Sequence, residues 1–419
     1  MNCIAERIDS LRKLMAAEGV SAFIVPSTDP HSGEYVPAYW ESRKWISGFT
    51  GSAGTAVITT SDGGLWTDSR YFLQAADQLQ GSGLTLFKDR LPETPSIAEW
   101  LGSVLKAGDK VGIDGWVNSI AEAKQLQNAL QPYGLELVTI DDPFRTLWKD
   151  RPSLPLDPPF VLPLEYSGES CDHKIDRIRK SLEKEGTKGL LVSALDEIAW
   201  VLNMRGTDVH CNPVFVSYLL ITSTSATLYI HPDKLTEETR SYLTGHHIQI
   251  KAYSQVEKDL EEYKEENLQL SGSTNYALYQ AASRHSRVVL HDSPVLYMKA
   301  IKNDTEIAGF HQAMLRDGVA MVHFLCWLEE AVKSGKETEI TIDQKLYEFR
   351  AAQKDFKGIS FDTIAGYQAH GAIVHYEATQ ETAATLQPEG FLLLDSGAQY
   401  LDGTTDITRT ISLGSVPED

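Results

Sequence analysis

Ala22-Phe23-Ile24-Val25-Pro26-Ser27-Thr28-Asp29 has a counterpart far downstream in Gly189-Leu190-Leu191-Val192-Ser193-Ala194-Leu195-Asp196. The match extends upstream without a gap: Arg7-Ile8-Asp9-Ser10-Leu11 aligns with Lys174-Ile175-Asp176-Arg177-Ile178, and Gly19 with Gly186. In each copy apolar residues fall at helical spacing (Ile8, Leu11, Met15; Ile175, Ile178, Leu182), a glycine stands where a helix C-cap belongs, and a short apolar strand follows. Each copy therefore predicts an α-helix feeding a buried strand. Further on, residues 45–51 answer residues 200–206, and Ile58-Thr59-Thr60 and Ile221-Thr222-Ser223 open matching turns. A repeat as long as a domain, present twice, means two tandem α/β domains of one design and not a solenoid.

The Pro-rich stretch 151–159 is the natural linker between the copies, because proline clusters break helices and strands alike. The expected domains are 1–160, 161–299 and a third, non-repeating unit, 300–419. With 419 residues, 42% hydrophobic and 23% charged, the chain has the composition of a globular protein of two to four domains. Lys plus Arg is 38 against 58 Asp plus Glu, a net charge of −20, which speaks against nucleic acid or an anionic membrane as a partner. Cys3, Cys171, Cys211 and Cys326 lie far apart with no CxxC pair, so neither a disulfide framework nor a thiolate zinc site is expected. No basic stretch followed by an apolar one opens the chain and no run of 18 apolar residues occurs, so the expected location is cytoplasmic.

The third unit opens on a helix, with Asn303 and Glu306 spaced as a capping box and Ile307, Phe310, Met314, Val322, Leu325 and Leu328 carrying it to about Lys333. A second helix is expected from about Thr341 to Gln353. Then Phe391-Leu392-Leu393-Leu394 runs into Asp395, which reads as a buried strand ending in a carboxylate. Burying that charge unpaired costs several kcal/mol, so a cation or several hydrogen bonds must compensate. Asp402-Gly403 marks a hairpin turn that returns Asp406 along the same face. A two-residue turn there leaves Asp395 and Asp406 four positions apart, roughly 13 Å, so a shared ion needs a bulge or a longer loop. Carboxylates are hard ligands suited to Mn²⁺ or Mg²⁺, although an aspartate at a strand end is also a common turn cap or surface charge.

The run from Asp395 through Asp406 to Thr410, with Gly371-Ala372-Ile373-Val374-His375-Tyr376 upstream, resembles the three-domain cytosolic Xaa-Pro aminopeptidases of the creatinase/methionine-aminopeptidase superfamily. So do residues 66–75 around Arg70, residues 148–152, residues 194–200, Arg205-Gly206 and Asn212-Pro213-Val214-Phe215. The resemblance spans the chain and implies two creatinase-like N-terminal domains before a pita-bread catalytic domain holding two metal ions, usually Mn²⁺. By match to the family motif, Asp395 binds one metal, Asp406 bridges both, His375 contacts substrate and the tetrahedral intermediate, and Arg70 reaches the peptide. The implied enzyme removes an N-terminal residue that precedes proline and is a homodimer.

The family pattern continues with a metal-binding histidine in Gly-His-Gly, a second substrate histidine and two metal-binding glutamates, none of which occurs here. The chain is therefore read as truncated within the catalytic domain, with two of five metal ligands present, and inactive by itself. A rival reading is a non-catalytic peptide- or protein-binding platform of the same fold. A creatine amidinohydrolase fits poorly, since that branch has one such N-terminal domain. Among single residues, His375 is expected to follow an apolar strand, and His370 is read as structural. His246 and His247 are read as solvated, Arg70 as close to Asp68, and Asp29 and Asp196 as a structural cap common to both repeats. The acidic run 257–266 is read as a solvated helix face.

Overall fold

The computed structural model describes residues 3–264 and 267–415. The chain forms two compact units. One comprises the chain up to Phe160 together with Cys171–Val209 and Val214–Lys299; the other comprises Val161–Ser170, His210–Pro213 and the chain from Ala300 onward.

The first unit holds two six-stranded mixed sheets. In the first, helix α1 (Ile4–Glu18) buries Ile8, Leu11 and Met15, and Gly19 ends it at φ +67°. The Val20 amide bonds back to Met15 O at 2.9 Å, six residues closing on one as in a Schellman cap. The chain then enters β1 (Ala22–Val25), buried throughout. With β2 (Thr55–Thr59), β3 (Gly63–Thr67), β4 (Thr85–Lys88), β5 (Lys110–Asp114) and β6 (Glu136–Ile140), the spatial order is 4-3-2-1-5-6.

The second copy repeats this strand for strand. Helix α2 (Cys171–Glu185) buries Ile175, Ile178 and Leu182, Gly186 follows at φ +69°, and Thr187 N closes on Leu182 O at 2.9 Å. Strands β7 (Gly189–Val192), β8 (Ser217–Thr222), β9 (Ala226–Ile230), β10 (Ile248–Lys251), β11 (Leu268–Leu270) and β12 (Val288–Leu290) lie in the order 10-9-8-7-11-12. Antiparallel and parallel pairings also correspond: β1 and β7 are each antiparallel to the next strand in sequence and parallel to the fifth of their sheet.

The equivalence reaches individual hydrogen bonds. Arg7 donates to Trp45 O at 2.6 Å and lies 4.8 Å over that indole; its counterpart Lys174 donates to Trp200 O at 2.8 Å and lies 4.1 Å over that ring. Arg12 Nε reaches Thr59 O at 3.0 Å, as Arg179 Nε reaches Thr222 O at 2.9 Å. In both copies one cation on the helix caps a carbonyl near the end of the short helix after the strand, and a second reaches the carbonyl that ends the next strand, satisfying backbone acceptors at element ends. The two aspartates expected as one shared cap differ. Asp29 is buried and accepts the amides of His31 (2.9 Å) and Gly33 (3.2 Å), whereas Asp196 opens a helix and pairs with Lys299 at 2.5 Å. His246 is likewise paired, with Asp172 at 2.6 Å. The acidic run is carried by the helix Gln255–Glu261, which buries Val256 and Leu260; residues 265 and 266 lie outside the described residues.

In the second unit, α3 (Asp304–Ala331) starts with the expected capping box: Asn303 accepts from Glu306 N and Glu306 accepts from Asn303 N, both at 2.9 Å. Helix α4 (Glu339–Ala351) begins two residues earlier than expected because Thr338 caps it. Strands β13 (Phe356–Ile359), β14 (Ile364–Tyr367), β15 (Phe391–Ser396), β16 (Ala398–Tyr400), β17 (Gly403–Thr404) and β18 (Ile407–Ser412) make two three-stranded ladders, 13-16-17 and 14-15-18. Leu392, Leu394 and Ile407 pack with Met321, Phe324 and Leu328 of α3 and Ile342 and Leu346 of α4. Helix α3 also exposes Leu315, Val319 and Val322.

Two glycines on α3 separate packing from propensity. A Cβ on Gly309 would stand 2.5 Å from Asp402 O, whereas one on Gly318 would meet nothing within 4 Å. Gly318→Ala is expected to stabilise by about 0.5–1 kcal/mol, and Gly309→Ala to destabilise by about 1–3 kcal/mol, read by urea denaturation; the same sign for both would refute the close approach. A second expectation concerns Asp114 at the end of β5, where burial pushes the carboxyl up to about 7, with Asp142 adding and Trp116 N–H and Arg151 opposing. The folded state then holds a proton that the unfolded chain releases from 3.8, so stability falls as pH rises between those values. Asp114→Asn keeps an acceptor for Trp116 N and is expected to gain on the native protein across that window, by up to roughly 4 kcal/mol above it. Equal pH slopes in thermal melts would contradict this.

Candidate functional site

The hairpin carrying the two aspartates keeps one register through both ladders. Asp395 faces Thr408, Ser396 faces Ile407, Gln399 faces Thr404 and Tyr400 faces Gly403. The turn is Leu401-Asp402, one residue earlier than the Asp402-Gly403 turn expected from sequence. Asp402 is paired with Arg316 of α3, and Leu401 N bonds to Asp355 O at 3.1 Å. Gly403 is a strand residue whose missing side chain admits the helix: a Cβ there would lie 2.9 Å from Ala313 Cβ and 3.2 Å from Phe310 Cα. Packing against α3 overrides the local turn signal.

Moving the turn changes the spacing of the carboxylates. Asp395 and Asp406 are separated by two positions along the ladder and not four, and no bulge is needed between them. Counted along that register they stand as diagonal neighbours, although Gly397, Thr405 and Asp406 themselves lie between the two ladders and outside the strands. The strand is buried on one face only, not throughout: Leu392, Leu394 and Ser396 are inside, while Leu393 and Asp395 are half-buried and Asp406 is exposed. Asp395 accepts from Thr408 Oγ1 at 2.8 Å, which takes one of about four acceptor positions of a carboxylate. Two hard oxygen donors on one open face fit a divalent ion of the manganese or magnesium class.

His375 does not follow a strand. Of the strand-like segment 371–376, Gly371 and Ala372 end the 3₁₀ helix Gln368–Ala372 and the rest turns, with Ile373 N on His370 O at 3.0 Å and Tyr376 N on Ile373 O at 3.2 Å. Its side chain is exposed and its backbone is left-handed, φ +57°. The segment lies over the face that carries Asp395. A Cβ on Gly371 would sit 3.5 Å from Leu393 Cβ, and one on Gly366 would clash at 2.8 Å with Gly371 Cα.

What grips this turn is Glu339, fully buried in the first turn of α4. It accepts from Tyr367 N (2.7 Å), Ala384 N (2.8 Å), Tyr376 Oη (2.9 Å) and His370 Nδ1 (2.9 Å). The rings of His370 and Tyr376 stack at 4.4 Å, so both flanks of His375 are bound to one carboxylate. Burial, with Glu339 adding, pushes the Tyr376 phenol up. The reading of His370 as structural agrees with this geometry; Glu339 escaped notice because an acid near a helix start is ordinary and its four donors come from distant residues.

Arg70 belongs to the other compact unit. It makes a two-pronged bond to Asp68 (2.8 and 2.8 Å), which also caps the 3₁₀ turn Ser69–Tyr71. The structure therefore brings Gly371, at the start of the segment that leads to His375, against Leu393 on the face of Asp395, with Arg70 held by its neighbour in the first repeat. Arg409 donates to Thr408 O at 2.8 Å. Sequence reasoning also missed His210, Cys211 and Asp362, whose ligand atoms lie within 4.8 Å of one another.

If Glu339 holds the His375 turn, Glu339→Gln replaces an acceptor oxygen with an amide donor facing backbone N–H groups. The turn should then loosen, at a cost of about 1.5–3 kcal/mol, and amide exchange across 367–384 should accelerate while that of β1 and β7 is unchanged. Unaltered protection in 367–384 would remove Glu339 from this role.

The chain matches models of the creatinase/prolidase N-terminal domain twice, at residues 7–147 and 150–306, and of metallopeptidase family M24 at residues 308–419. It is 40% identical to a probable Xaa-Pro aminopeptidase P of Pyricularia oryzae, over 99% of this chain and 70% of that protein. It is 36% identical to aminopeptidase P1 of Arabidopsis thaliana, over 98% of this chain and 71% of that protein. The structure of X-prolyl aminopeptidase from Caenorhabditis elegans, described as a cytosolic enzyme with a di-nuclear active site, superposes with a TM-score of 0.93 at 32% identity, covering 100% of this chain and 71% of that one. The chain thus spans about 70% of the length of these relatives. No described helix is long and apolar enough to cross a membrane. Two creatinase-type sheets, an M24 unit and end-to-end identity of this size place the chain in the Xaa-Pro aminopeptidase P family of metallopeptidases.

Proposed function

We propose that the chain carries part of the active site of a manganese-dependent aminopeptidase that releases the residue preceding a proline. In this reading the domains are 1–160, 161–299 and 300–419, Asp395 holds one ion, Asp406 bridges two, His375 contacts the substrate carbonyl, and Arg70 reaches the peptide. The observation that supports it is the register common to both ladders of the hairpin, which counts Asp395 and Asp406 two positions apart, with Gly371 of the segment leading to His375 against Leu393 on the face of Asp395. Divalent ions bound there supply an activated water and polarise the scissile carbonyl.

The rest of the task falls to this chain's own residues. An Xaa-Pro bond has no amide hydrogen and a fixed φ, so recognition must come from shape and from groups directed at the carbonyl oxygen. An exposed imidazole on a turn held from both sides suits the second role, since it can present an N–H at a fixed position. The relatives' names support the substrate class, and the description of the worm enzyme supports a cytoplasmic location and two ions. Exposed Leu315, Val319 and Val322 offer a surface for the expected homodimer.

The remaining ligand motifs of the family do not occur in these 419 residues, so the hairpin is expected to bind Mn²⁺ weakly and the purified chain to leave Xaa-Pro peptides uncut. Paramagnetic resonance of added Mn²⁺ should reveal binding that Asp395→Asn and Asp406→Asn each weaken. Unchanged binding in the double variant would remove the hairpin as the metal site, cleavage of Xaa-Ala but not Xaa-Pro peptides would overturn the substrate class, and rapid Xaa-Pro cleavage would show the ligand set to be sufficient.

A further inference from the structure

Asp362 precedes β14 in a segment that crosses the hairpin: Ser360 N donates to Gly397 O at 3.2 Å, and Ser360 Oγ donates to Thr405 O at 2.8 Å. Beside it in the same compact unit lie His210 and Cys211. His210 Nε2 is 2.7 Å from Asp362 Oδ1, and the ligand atoms of all three residues fall within 4.8 Å of one another. Cys211 is fixed by its backbone. Its φ of +61° lies in the left-handed region, and its carbonyl accepts from Gln399 Nε2 at 3.0 Å.

We propose that His210, Cys211 and Asp362 form a second metal site, selective for a divalent ion of the zinc class and distinct from the Asp395/Asp406 face. An imidazole nitrogen, a thiolate and a carboxylate form a borderline-soft set that favours zinc over manganese or magnesium. Tetrahedral ligation needs donor atoms roughly 3.3–3.8 Å apart, so 2.7 Å must open slightly and the wider spacings must close, changes within the reach of side-chain rotation. Three protein ligands leave a fourth position for water. On binding, the sulfur–metal bond forms as the S–H proton leaves to solvent, and His210 Nε2, which donates its N–H to Asp362, gives its lone pair to the ion as the imidazole proton moves to Nδ1 by exchange with solvent.

Without metal the trio amounts to an exposed His–Asp contact of small worth beside a thiol. Ligation is the chemistry in which a thiol beside a carboxylate gains, because the cation neutralises both.

The test is cobalt titration of the whole chain after chelator and reductant treatment. One equivalent of Co²⁺ should produce a sulfur-to-cobalt charge-transfer band, displaced by Zn²⁺ and not by Mn²⁺. The band should vanish in Cys211→Ser and persist when Cys3, Cys171 and Cys326 are all changed to serine. His210→Ala and Asp362→Asn should weaken binding by about tenfold or more. The double variant Asp395→Asn/Asp406→Asn should keep the band, so loss of the proposed peptidase site and loss of this one are read separately. Absence of the band from the native chain, or its survival in Cys211→Ser, would overturn the proposal.

Discussion

Asp317 and Arg350 are both buried, one on each helix of the second unit, joined at 2.8 and 3.1 Å. Removing one member of such a pair strands a charge in the interior and costs about 3–5 kcal/mol. The pair does more than join α3 to α4. Asp317 also accepts from Tyr400 Oη at 3.1 Å, and Arg316, the preceding residue, lies 5.0 Å over the Tyr400 ring while holding Asp402. Two consecutive residues of α3 thereby fix the end of the hairpin in position and rotation. Everything proposed for the open face rests on this anchorage.

A similar economy appears at Glu339, where a carboxylate in the first turn of a helix satisfies two backbone amides, a phenol and an imidazole. The helix N-terminus favours negative charge there, and the four donors take up its full acceptor capacity. The face that carries Asp395 and Asp406 is thus framed by two buried acids with no place on it. One sets the strands, and the other sets the turn that bears His375.

The repeat was legible because it is written in periodicity: Ile8, Leu11 and Met15 and their partners Ile175, Ile178 and Leu182 disclose a helix face whatever surrounds them. The Asn303–Glu306 cap was legible for the same reason, being local. The hairpin was found but misregistered, since Asp402-Gly403 is a strong turn signal until Phe310 and Ala313 come close enough to need a glycine in the strand and Arg316 claims the aspartate. His375 was placed after a strand because Ile373 and Val374 suggest one; the Gly366–Gly371 approach, which folds that segment into turns, is a tertiary fact. Glu339 and the His210–Cys211–Asp362 trio could not be read at all, as their partners are separated by between 28 and 152 residues.

The register common to the two ladders of the hairpin has a bearing on how such a chain can change over time. Because side chains alternate along a strand, one residue gained or lost between Gly403 and Asp406 would invert the second carboxylate into the greasy layer under the helices. The tip offers no slack to absorb the change, being tied at Leu401 and at Asp402. What this stretch must keep is accordingly a headcount: the tally of residues between the two aspartates decides which layer the second one enters.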